Sequence, residues 1–572
     1  MKYWVMIAVF LASSWPLLQP SIFKIHDFTH GARIAEMLRA LQDGHFPVRW
    51  SQNFGYGYGM PLFQFYGPLP FYIGAIFYWL TNSLVGSVKF IFLVANFFSL
   101  LGSYLLGKKL FKTDLASIIT SLAFSLAPYR FLNLYVRGAV NELWGMMALP
   151  WIVWGALKII KQERWGWLSL TLSLSVLFLS HNISTMIFTP FIIGVVLLLL
   201  FFEFFETKSG IANFKKSFKT IIGSGLMATG LSAFYLFPAY LEKSFTQVER
   251  FILAEYFDFR IHFLYLRQFF QPNWGFGGSE YGPNDPVTFF LGYGQILSLL
   301  LTIFLIFFLS FQVIIKKNKL VKKELYFILG IMILFLIVIF LTLPWSEFFW
   351  HSIAPLKFAQ FPWRFLGIGS FLLSIIAGWS LQQTRQNHKL NIIAVIVLLS
   401  TLLLNLRFVQ PEEFLDNPSD YYYSNAEKIR SEMSATLPDY LPTDLDLSLP
   451  PAENLIVNAG SYPLDGLMVT VDQTHQKELR FNEKLEKPVE LELAIANYPG
   501  WQTHNQAELT TSKNGLILLK VPPGHQTVGL RFSNTNLRRL SDALSAVTLL
   551  LVILWSFKMK NIGKIKEINF KK

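Results

Sequence analysis

Ionisable and aromatic side chains are concentrated in one polar segment, residues 26–68, which follows a first apolar run at residues 3–20. That run is about long enough to cross a bilayer. The segment combines carboxylates, which can take up a proton, with arginines, which can bind phosphate, and aromatic rings, which can stack on sugars. This combination suits the handling of a lipid-linked anionic sugar. The alternative is an ordinary amphipathic surface helix, since Ile34, Leu38 and Leu41 recur at helical spacing. Both interpretations can hold together. The side chains concerned are His26, Asp27, His30, Arg33, Glu36, Arg39, Asp43, His45, Arg49, Trp50, Tyr56, Tyr58 and Tyr66.

Asp27 is the candidate general base, because it stands just beyond the first apolar run. A base that deprotonates an acceptor hydroxyl must be an ionised carboxylate held near the reacting carbon. His26 and His30 could tune or share its proton. In the alternative interpretation Asp27 caps the start of a helix, a position that aspartate favours.

Later polar segments add further candidates. Arg130, Arg137 and Glu142 lie between apolar runs, where a charged group is costly and functional by default. Arginines can contact phosphate oxygens with paired donors that lysine lacks. The alternatives are snorkelling of the arginines toward headgroups and stabilisation of a helix dipole by Glu142.

Three more residues are predicted to bind substrate. His181 closes an apolar run and either lines a site or hydrogen-bonds between helices. Arg260 lies in segment 239–288, whose aromatic and glycine content is typical of a lid or an acceptor-binding loop. Arg364 begins an apolar run as a phosphate contact or, beside Trp363, as an interfacial anchor.

Composition indicates a polytopic membrane protein. Of 572 residues, 53% are hydrophobic and only 15% are charged, and the mean hydropathy is +0.42. The absence of cysteine excludes disulfides, thiolate metal sites and thiol catalysis. The net charge of +13 comes from short basic segments beside apolar runs, so it reflects membrane topology and not a nucleic-acid partner.

Apolar runs predict 12–14 transmembrane helices. Because the basic segments should face the cytoplasm, segments 21–67, 129–141, 239–288, 344–364 and 409–540 are expected outside it, and the C-terminus inside. Thirteen runs cannot leave both termini inside, so 68–84 or 114–128 is re-entrant, or one more run exists. The first run has no small-residue cleavage site and is predicted to be a retained anchor. The runs fall near 3–20, 68–84, 87–107, 114–128, 142–160, 167–185, 186–205, 220–238, 289–313, 325–343, 365–382, 391–408 and 541–557.

The sequence divides into a helical membrane domain (1–408), a β-sandwich or jelly roll (409–540) and a last membrane helix with a basic tail (541–572). Short alternating runs separated by turn residues predict the β domain: NLIVNA, GLMVTVDQ, ELRFNE, VELELAIANY, GLILLKV and TVGLRF. Trp501, Tyr498 and Tyr421 to Tyr423 are candidate glycan platforms. In the alternative, Trp501 is buried in the sandwich core.

Several motifs resemble a known family. The stretch GHFPVRW (44–50) and the stretch GYGMPLFQFYGPLPFY (57–72) resemble the GT-C class of membrane glycosyltransferases, which use polyprenyl-phosphate-linked sugars. More narrowly, they resemble the integral membrane proteins labelled 6-pyruvoyl-tetrahydropterin synthase-related and their YfhO-type relatives. YVRGAVNE (135–142), FPWRF (361–365) and NYPGW (497–501) extend the resemblance over most of the chain. The histidine zinc cluster that pterin synthase chemistry requires is missing from the sequence.

The resemblance implies transfer of a sugar from a polyprenyl-phosphate lipid to an envelope glycan or protein outside the cell membrane. The catalytic carboxylate of the family maps onto Asp27 and a second acidic position onto Glu142. His26 precedes a single aspartate where metal-dependent members carry paired acidic residues, which favours a metal-free reaction with a monophosphate-linked donor and no cofactor; a divalent cation is the alternative. A transporter of lipid-linked sugars, an envelope-assembly scaffold, and a polymerase or ligase acting on undecaprenyl-diphosphate chains are the alternatives. The expected substrate-binding residues are His26, His30, Arg33, Arg49, Trp50, Tyr58, Tyr66, Arg130, Arg137, His181, Arg260 and Arg364.

Overall fold

The structure is a computed structural model that describes residues 2–111, 113–204, 210–251, 255–316, 319–384, 388–416, 424–436, 438–504 and 506–570. In these ranges the chain is mostly helical up to residue 408, forms antiparallel strands between residues 456 and 532, and ends in a long helix. The predicted class, a helical membrane protein with a β domain near the C-terminus, is confirmed.

All of the predicted apolar runs lie on helices. The α-helices of nine residues or more are α1 (Lys2–Leu18), α2 (His30–Gln42), α3 (Leu69–Thr81), α4 (Leu84–Leu110), α5 (Asp114–Ser125), α6 (Val140–Ile160), α7 (Gly166–Ser180), α8 (Asn182–Phe204), α9 (Gly210–Leu231), α10 (Ala233–Leu241), α11 (Tyr293–Lys316), α12 (Lys319–Thr342), α13 (Leu366–Thr384), α14 (His388–Leu399) and α15 (Asn536–Phe570).

Within the described ranges, seven helices are long and apolar enough to cross a membrane, or nine if each of two bent pairs forms one span. The pairs are Asp114–Ser125 with Pro128–Val136, bent by 44°, and Ile211–Leu231 with Ala233–Leu241, bent by 74°. Four further predicted spans are apolar helices of 10–17 residues, shorter than the roughly 20 residues that a straight span needs. The bend after Ser125 and the short helix α3 fall in the two runs that fitted the predicted topology least.

Two helices form the centre of the membrane domain. The spanning window of α6 is 83% buried, and the window Pro362–Thr384 that contains α13 is 94% buried. A helix that is apolar on all sides is stable only when neighbouring helices surround it. By contrast α15, whose window is 17% buried, lies at the periphery.

The β region consists of two four-stranded antiparallel sheets, in the orders β4-β5-β10-β7 and β3-β6-β9-β8. The six alternating runs of the sequence form β3, β4, β5, β6, β9 and β10, whereas β7 and β8 were not predicted. A separate two-stranded ladder pairs β1 with β2 and so joins the residues just before the first polar segment to the chain that follows the membrane domain. The strands are β1 (Ile22–Phe23), β2 (Phe414–Leu415), β3 (Ile456–Asn458), β4 (Leu467–Gln473), β5 (Gln476–Phe481), β6 (Val489–Ala496), β7 (Trp501–His504), β8 (Glu508–Thr511), β9 (Leu516–Val521) and β10 (Thr527–Phe532).

Trp50 joins the first polar segment to the β region. Its ring lies 6.0 Å from Tyr498, 5.6 Å from Trp501 and 5.3 Å from Phe532, measured between centroids. Trp50 is 2% exposed, Tyr498 2% and Trp501 6%. These rings therefore form a core between the two parts of the molecule, and the prediction of Trp50 as a sugar platform is wrong. Tyr421, Tyr422 and Tyr423 lie outside the described residues.

Basic residues cluster at the opposite end of the helices from the β region. Lys109 pairs with Glu163, Lys161 Nζ lies 2.6 Å from Glu203 Oε2, and Arg164 donates to the carbonyl of Met559. Helix α6 has 21 residues, so at about 1.5 Å per residue its two ends are roughly 30 Å apart.

Truncation of Trp501 to alanine should destabilise the β region, because it removes a large buried ring from the contact with Trp50. The expected cost is about 3–5 kcal/mol, seen as a lower thermal midpoint of the detergent-solubilised full chain by near-UV circular dichroism. Met468→Ala on β4, where Met468 is 58% exposed, is the matched control and should stay within about 0.5 kcal/mol. An unchanged midpoint for Trp501→Ala together with lost glycan binding would restore the platform interpretation.

Candidate active-site cavity

A cavity of about 430 Å³ opens at the end of the helices that faces the β region. Its walls come from the first polar segment, the turn before α6, the start of α8, the start of α13 and the connection into the β region. Small-molecule sites usually measure about 300–1,000 Å³. Its polar lining includes His26, Asp27, Thr29, Arg33, Tyr66, Arg137, Asn141, Glu142, His181, Asn182, Gln360, Arg364, Thr436, Asp439 and Tyr440.

Asp27 lies on one wall in a cluster with Arg33 and Tyr66. Arg33 Nη1 is 3.1 Å from Asp27 Oδ1, and the Tyr66 hydroxyl donates to Asp27 Oδ2 at 3.2 Å. Thr29, not Asp27, occupies the N-cap position of α2, so the capping interpretation of Asp27 is not supported. The Asp27 side chain remains 30% exposed, which leaves it accessible from the cavity.

The charge of Asp27 is fixed by this cluster. Burial by itself would raise the pKa of the carboxyl group, but the positive charge of Arg33 and the hydrogen bonds of Arg33 and Tyr66 lower it to about 2. Asp27 is therefore an ionised, acceptor-only carboxylate in the empty cavity.

Two histidines close to Asp27 in sequence, His26 and His30, are neutral. Burial lowers the pKa of both His26 and His30. His26 Nε2 donates to the Phe276 carbonyl at 2.6 Å, and His30 Nε2 donates to the Gly138 carbonyl at 2.5 Å. His26 lines the cavity, whereas His30 is fully buried behind Asp27, with Nε2 at 3.7 Å from Oδ2.

Glu142 forms a second, deeper cluster in the first turn of α6. It accepts hydrogen bonds from the Tyr129 hydroxyl at 2.5 Å, from Asn133 Nδ2 at 3.1 Å and from Arg137 Nη1 at 2.9 Å. The side chain is 3% exposed. With 3% exposure against 30% for Asp27, Glu142 is the less accessible carboxylate, and its hydrogen bonds hold its neighbours in position.

Arg137 and Arg364 present guanidinium groups to the cavity. Arg137 lies over the Trp363 ring at 4.4 Å, and Arg364 lies over the Phe361 ring at 4.7 Å. Arg364 Nη1 donates to the neutral acceptors Ala359 O at 2.8 Å and Gln360 Oε1 at 3.0 Å, while its Nε stays 3.8 Å from Glu142. Arg364 is thus the less neutralised of the two cations.

The cavity includes two residues that sequence reasoning missed, Asp439 and Tyr440. The Tyr440 ring packs 6.1 Å from Phe65 and 6.2 Å from Tyr66. Burial raises the pKa of Asp439 above its usual value, and no cation among the described residues forms an ion pair with it. Neither residue has a local motif, since only the fold brings segment 438–440 to the first polar segment.

His181 and Asn182 meet in the cavity as a pair, at the start of α8. His181 Nδ1 lies 2.7 Å from the Ser184 hydroxyl. Asn182 Nδ2 donates to Phe65 O at 3.0 Å, and Asn182 Oδ1 accepts from the Tyr235 hydroxyl at 2.8 Å. His181 is therefore a cavity residue held within the first turn of α8, whereas Asn182 makes the bonds to other segments.

Two predicted arginine ligands lie away from this cavity in buried positions. Arg49 pairs with Asp542 at the start of α15, with Nη2 2.5 Å from Oδ1. Arg130 is 2% exposed, lies over the Phe124 ring at 5.0 Å and points toward the Ser125 carbonyl. The expected contacts of Arg49 with substrate and of Arg130 with substrate phosphate are therefore not found, and both residues have structural roles.

Two other predicted ligands also lie outside the cavity. Tyr58 is 6% exposed and donates to the Pro450 carbonyl at 2.9 Å, so it connects the first polar segment to the β region. Arg260 is 59% exposed and pairs with Asp258 within its own loop. In the sequence, nothing distinguishes a tyrosine that contacts the β region, or an arginine paired within its own loop, from a residue that binds a ligand. Across the described residues, no three or more His, Asp or Glu side chains are grouped so as to hold a metal ion.

Comparison with known proteins identifies a family. Residues 33–424 match the family model described as bacterial membrane protein YfhO. An uncharacterised protein of Lactococcus lactis subsp. cremoris is 26% identical over 246 residues, which are 41% of this chain and 39% of that protein.

Solved structures give weaker similarities. The apo oligosaccharyltransferase of Archaeoglobus fulgidus has a TM-score of 0.40 at 12% identity, over 74% of this chain and 56% of that one. The arabinofuranosyltransferase AftD from Mycobacteria has a TM-score of 0.42 at 13% identity, over 73% of this chain and 28% of that one. Because these scores lie below 0.5, the similarity adds no weight to a function for this chain.

Replacement of Glu142 by glutamine should destabilise the protein, because it leaves Arg137, whose side chain is only 17% exposed, without its charged partner. The expected loss is about 3–5 kcal/mol, measured as a lower thermal midpoint of the purified full chain. Glu347→Gln is the matched control, since Glu347 pairs with His351 at the surface with 47% exposure and should contribute at most about 1 kcal/mol. Equal midpoints for the two variants would contradict the positioning role of Glu142.

Proposed function

This chain belongs to the YfhO family of bacterial membrane proteins, and we propose that it is a membrane glycosyltransferase. It transfers a sugar from a polyprenyl-phosphate carrier to an envelope glycan or protein outside the cytoplasm. The carrying observation is the 430 Å³ cavity at the helix ends, in which the ionised Asp27 shares one space with the guanidinium groups of Arg137 and Arg364. A donor of this kind combines a phosphate, a sugar and a lipid tail, and the cavity lies where the tail can remain among apolar helices.

The sidedness follows from charge. The basic residues Lys109, Lys161 and Arg164 lie at the helix ends opposite the cavity. Since basic segments stay in the cytoplasm, the proposal assigns the cavity and the β region to the extracytoplasmic side. This orientation also gives the cytoplasmic C-terminus expected from the basic tail.

The chemistry needs few protein groups. The acceptor oxygen forms a bond to the anomeric carbon, the bond from that carbon to the phosphate oxygen breaks, and polyprenyl phosphate leaves as a stable anion. Arg364 and Arg137 stabilise the charge that develops on the phosphate. Asp27 orients the acceptor hydroxyl and takes its proton. The proposal requires no cofactor.

Donor binding makes Asp27 a stronger base. With a pKa of about 2 in the empty cavity, it holds protons weakly, whereas a general base works best with a pKa near the ambient pH. A phosphate near Arg33 offsets part of the guanidinium charge, and the bound sugar excludes water. Both effects raise the pKa of an aspartate. The donor thereby creates the basicity that the transfer needs.

Asp439 is the second proton acceptor to be considered. It lines the cavity, and its raised pKa makes it a stronger base than Asp27 when the cavity is empty. Environments that shift the pKa values of two carboxyl groups in opposite directions are typical of acid–base sites. The positions of the two residues allow their roles to be separated by matched amide variants.

Asp27→Asn should abolish transfer while the protein inserts and folds, because the amide keeps the shape but cannot take the proton. The expected loss of turnover is about 10²- to 10⁴-fold. It is measured by expressing each variant in the deletion strain and by mass spectrometry of lipid-linked sugars and envelope glycans. Asp258→Asn is the matched control outside the cavity and should restore the wild-type glycan.

The same assay separates the alternatives. Full activity of Asp27→Asn with an inactive Asp439→Asn transfers the role of base to Asp439. Full activity of both variants would argue against acid–base catalysis and in favour of a lipid-sugar transporter or a scaffold. Accumulation of unextended glycan chains in place of donor would favour the polymerase or ligase alternative.

Arg364→Lys should raise the KM for the lipid-linked donor by about tenfold, because lysine keeps the charge but loses paired donation to phosphate oxygens. The measurement uses membranes of the deletion strain and its own accumulated donor. Arg260→Lys is the matched control, since Arg260 lies outside the cavity on the surface. Equal KM values for both variants would reduce Arg364 to a structural role.

A further inference from the structure

A second cavity, with a basic lining, lies near the start of α15 and is separate from the proposed active site. Its volume is about 290 Å³, and its lining includes His45, Phe46, His475, Arg531, Asn534 and Arg539. We name it the histidine recess. It joins the first polar segment, the β region and the last membrane helix, and the proposed glycosyl transfer uses none of its residues.

Two buried histidines face each other in the recess without hydrogen-bond partners. The rings of His45 and His475 stack at 5.3 Å between centroids, with 8% and 9% exposure. The Nδ1 atom of each ring is buried and has no partner among the described residues. Because an unsatisfied buried polar atom is costly, such a pair of rings indicates a site that a ligand completes.

The recess has uncompensated positive charge. Arg531 and Arg539 are exposed, and neither guanidinium forms an ion pair with a described residue. The two nearby carboxylates hydrogen-bond other groups, and neither forms an ion pair with Arg531 or Arg539. Asp43 accepts from Thr474 N at 2.7 Å and from its hydroxyl at 2.6 Å. Asp542 accepts from Arg49 and from Asn534 Nδ2 at 2.8 Å. An anion is therefore the ligand that this lining can recognise.

The position of the recess indicates a membrane surface. Arg539 lies in the first turn of α15, and the outward-facing side of the helix after it carries apolar residues, with Leu540 72% and Val547 53% exposed. Phe46 is 76% exposed at the rim, 6.2 Å from the Tyr72 ring of α3. An exposed phenylalanine beside two arginines at the start of a membrane helix matches the boundary between headgroups and acyl chains.

We propose that the histidine recess binds the phosphate of an anionic phospholipid. Arg531 and Arg539 pair with the phosphate oxygens, the ring nitrogens of His45 and His475 hydrogen-bond the headgroup, and Phe46 packs against the acyl chain. A lipid held there anchors the β region to the bilayer independently of the substrate cavity.

The test measures lipid retention by the detergent-purified full chain. Native mass spectrometry in an equimolar mixture of phosphatidylglycerol and phosphatidylcholine should show one retained phosphatidylglycerol. The double variant Arg531→Gln with Arg539→Gln should bind it at least about tenfold more weakly, since each charged hydrogen bond contributes strongly to affinity. Arg480→Gln, which removes one charge at an exposed position of strand β5, is the control and should bind like the wild type.

A second variant distinguishes the source of the phosphate. Phe46→Ser should weaken retention of phosphatidylglycerol, because only a lipid has an acyl chain for that ring to contact. Displacement of the lipid by an equal concentration of soluble glycerol phosphate, with no effect of Phe46→Ser, would identify a soluble phosphate site and overturn the lipid assignment. Equal retention by the double variant and by Arg480→Gln would overturn the site itself.

Discussion

The buried carboxylate of Glu142 is the interaction on which the cavity depends. It accepts from Tyr129 and Arg137 and lies 3.8 Å from Arg364, so one negative charge joins the segment before α6 to the start of α13. The backbone N–H of Asp27 donates to the carbonyl of Arg137 at 2.9 Å, which attaches the first polar segment to the same point. Since a buried charge without a partner costs several kcal/mol, the positions of these segments are coupled, and the geometry around Asp27 follows from a pair that lies deeper in the protein.

The β region is held in place by contacts between segments that are far apart in the sequence. Ala496 N donates to Tyr58 O and Ala452 N to Tyr56 O, both at 2.7 Å, while Arg538 Nε reaches Glu242 Oε2 at 2.8 Å. Trp50 fills the core between the first polar segment and the β region. Isolated residues 409–540 would therefore expose a large apolar face that the first polar segment covers in the full chain. The region is an integral cover of the membrane domain, and its properties are best measured in the intact protein.

The sequence predicts the helices and strands better than it predicts which of them pack together. Apolar runs and alternating runs depend on local periodicity, so the helices and six strands could be assigned correctly. Asp27, Arg33 and Tyr66 could be grouped because they share one short segment. Asp439 could not, since it reaches the cavity from some 400 positions further along the chain. Arg130 and Arg137 look equivalent in sequence, yet the π-helical turn Leu132–Val136 between them leaves only Arg137 facing the cavity.

The cavity lining contains equal numbers of arginines and carboxylic acids, three of each, and its histidines are neutral. The empty site is therefore close to neutral, with Arg33 committed to Asp27 and Arg137 to Glu142. An incoming phosphate must compete for these guanidinium groups, and any competition at Arg33 loosens its hold on Asp27. The pairing that keeps Asp27 a weak base in the empty cavity is thus the same pairing that a phosphate-bearing donor disturbs. In the proposed reaction, Asp27 therefore becomes a stronger base only when the donor is bound.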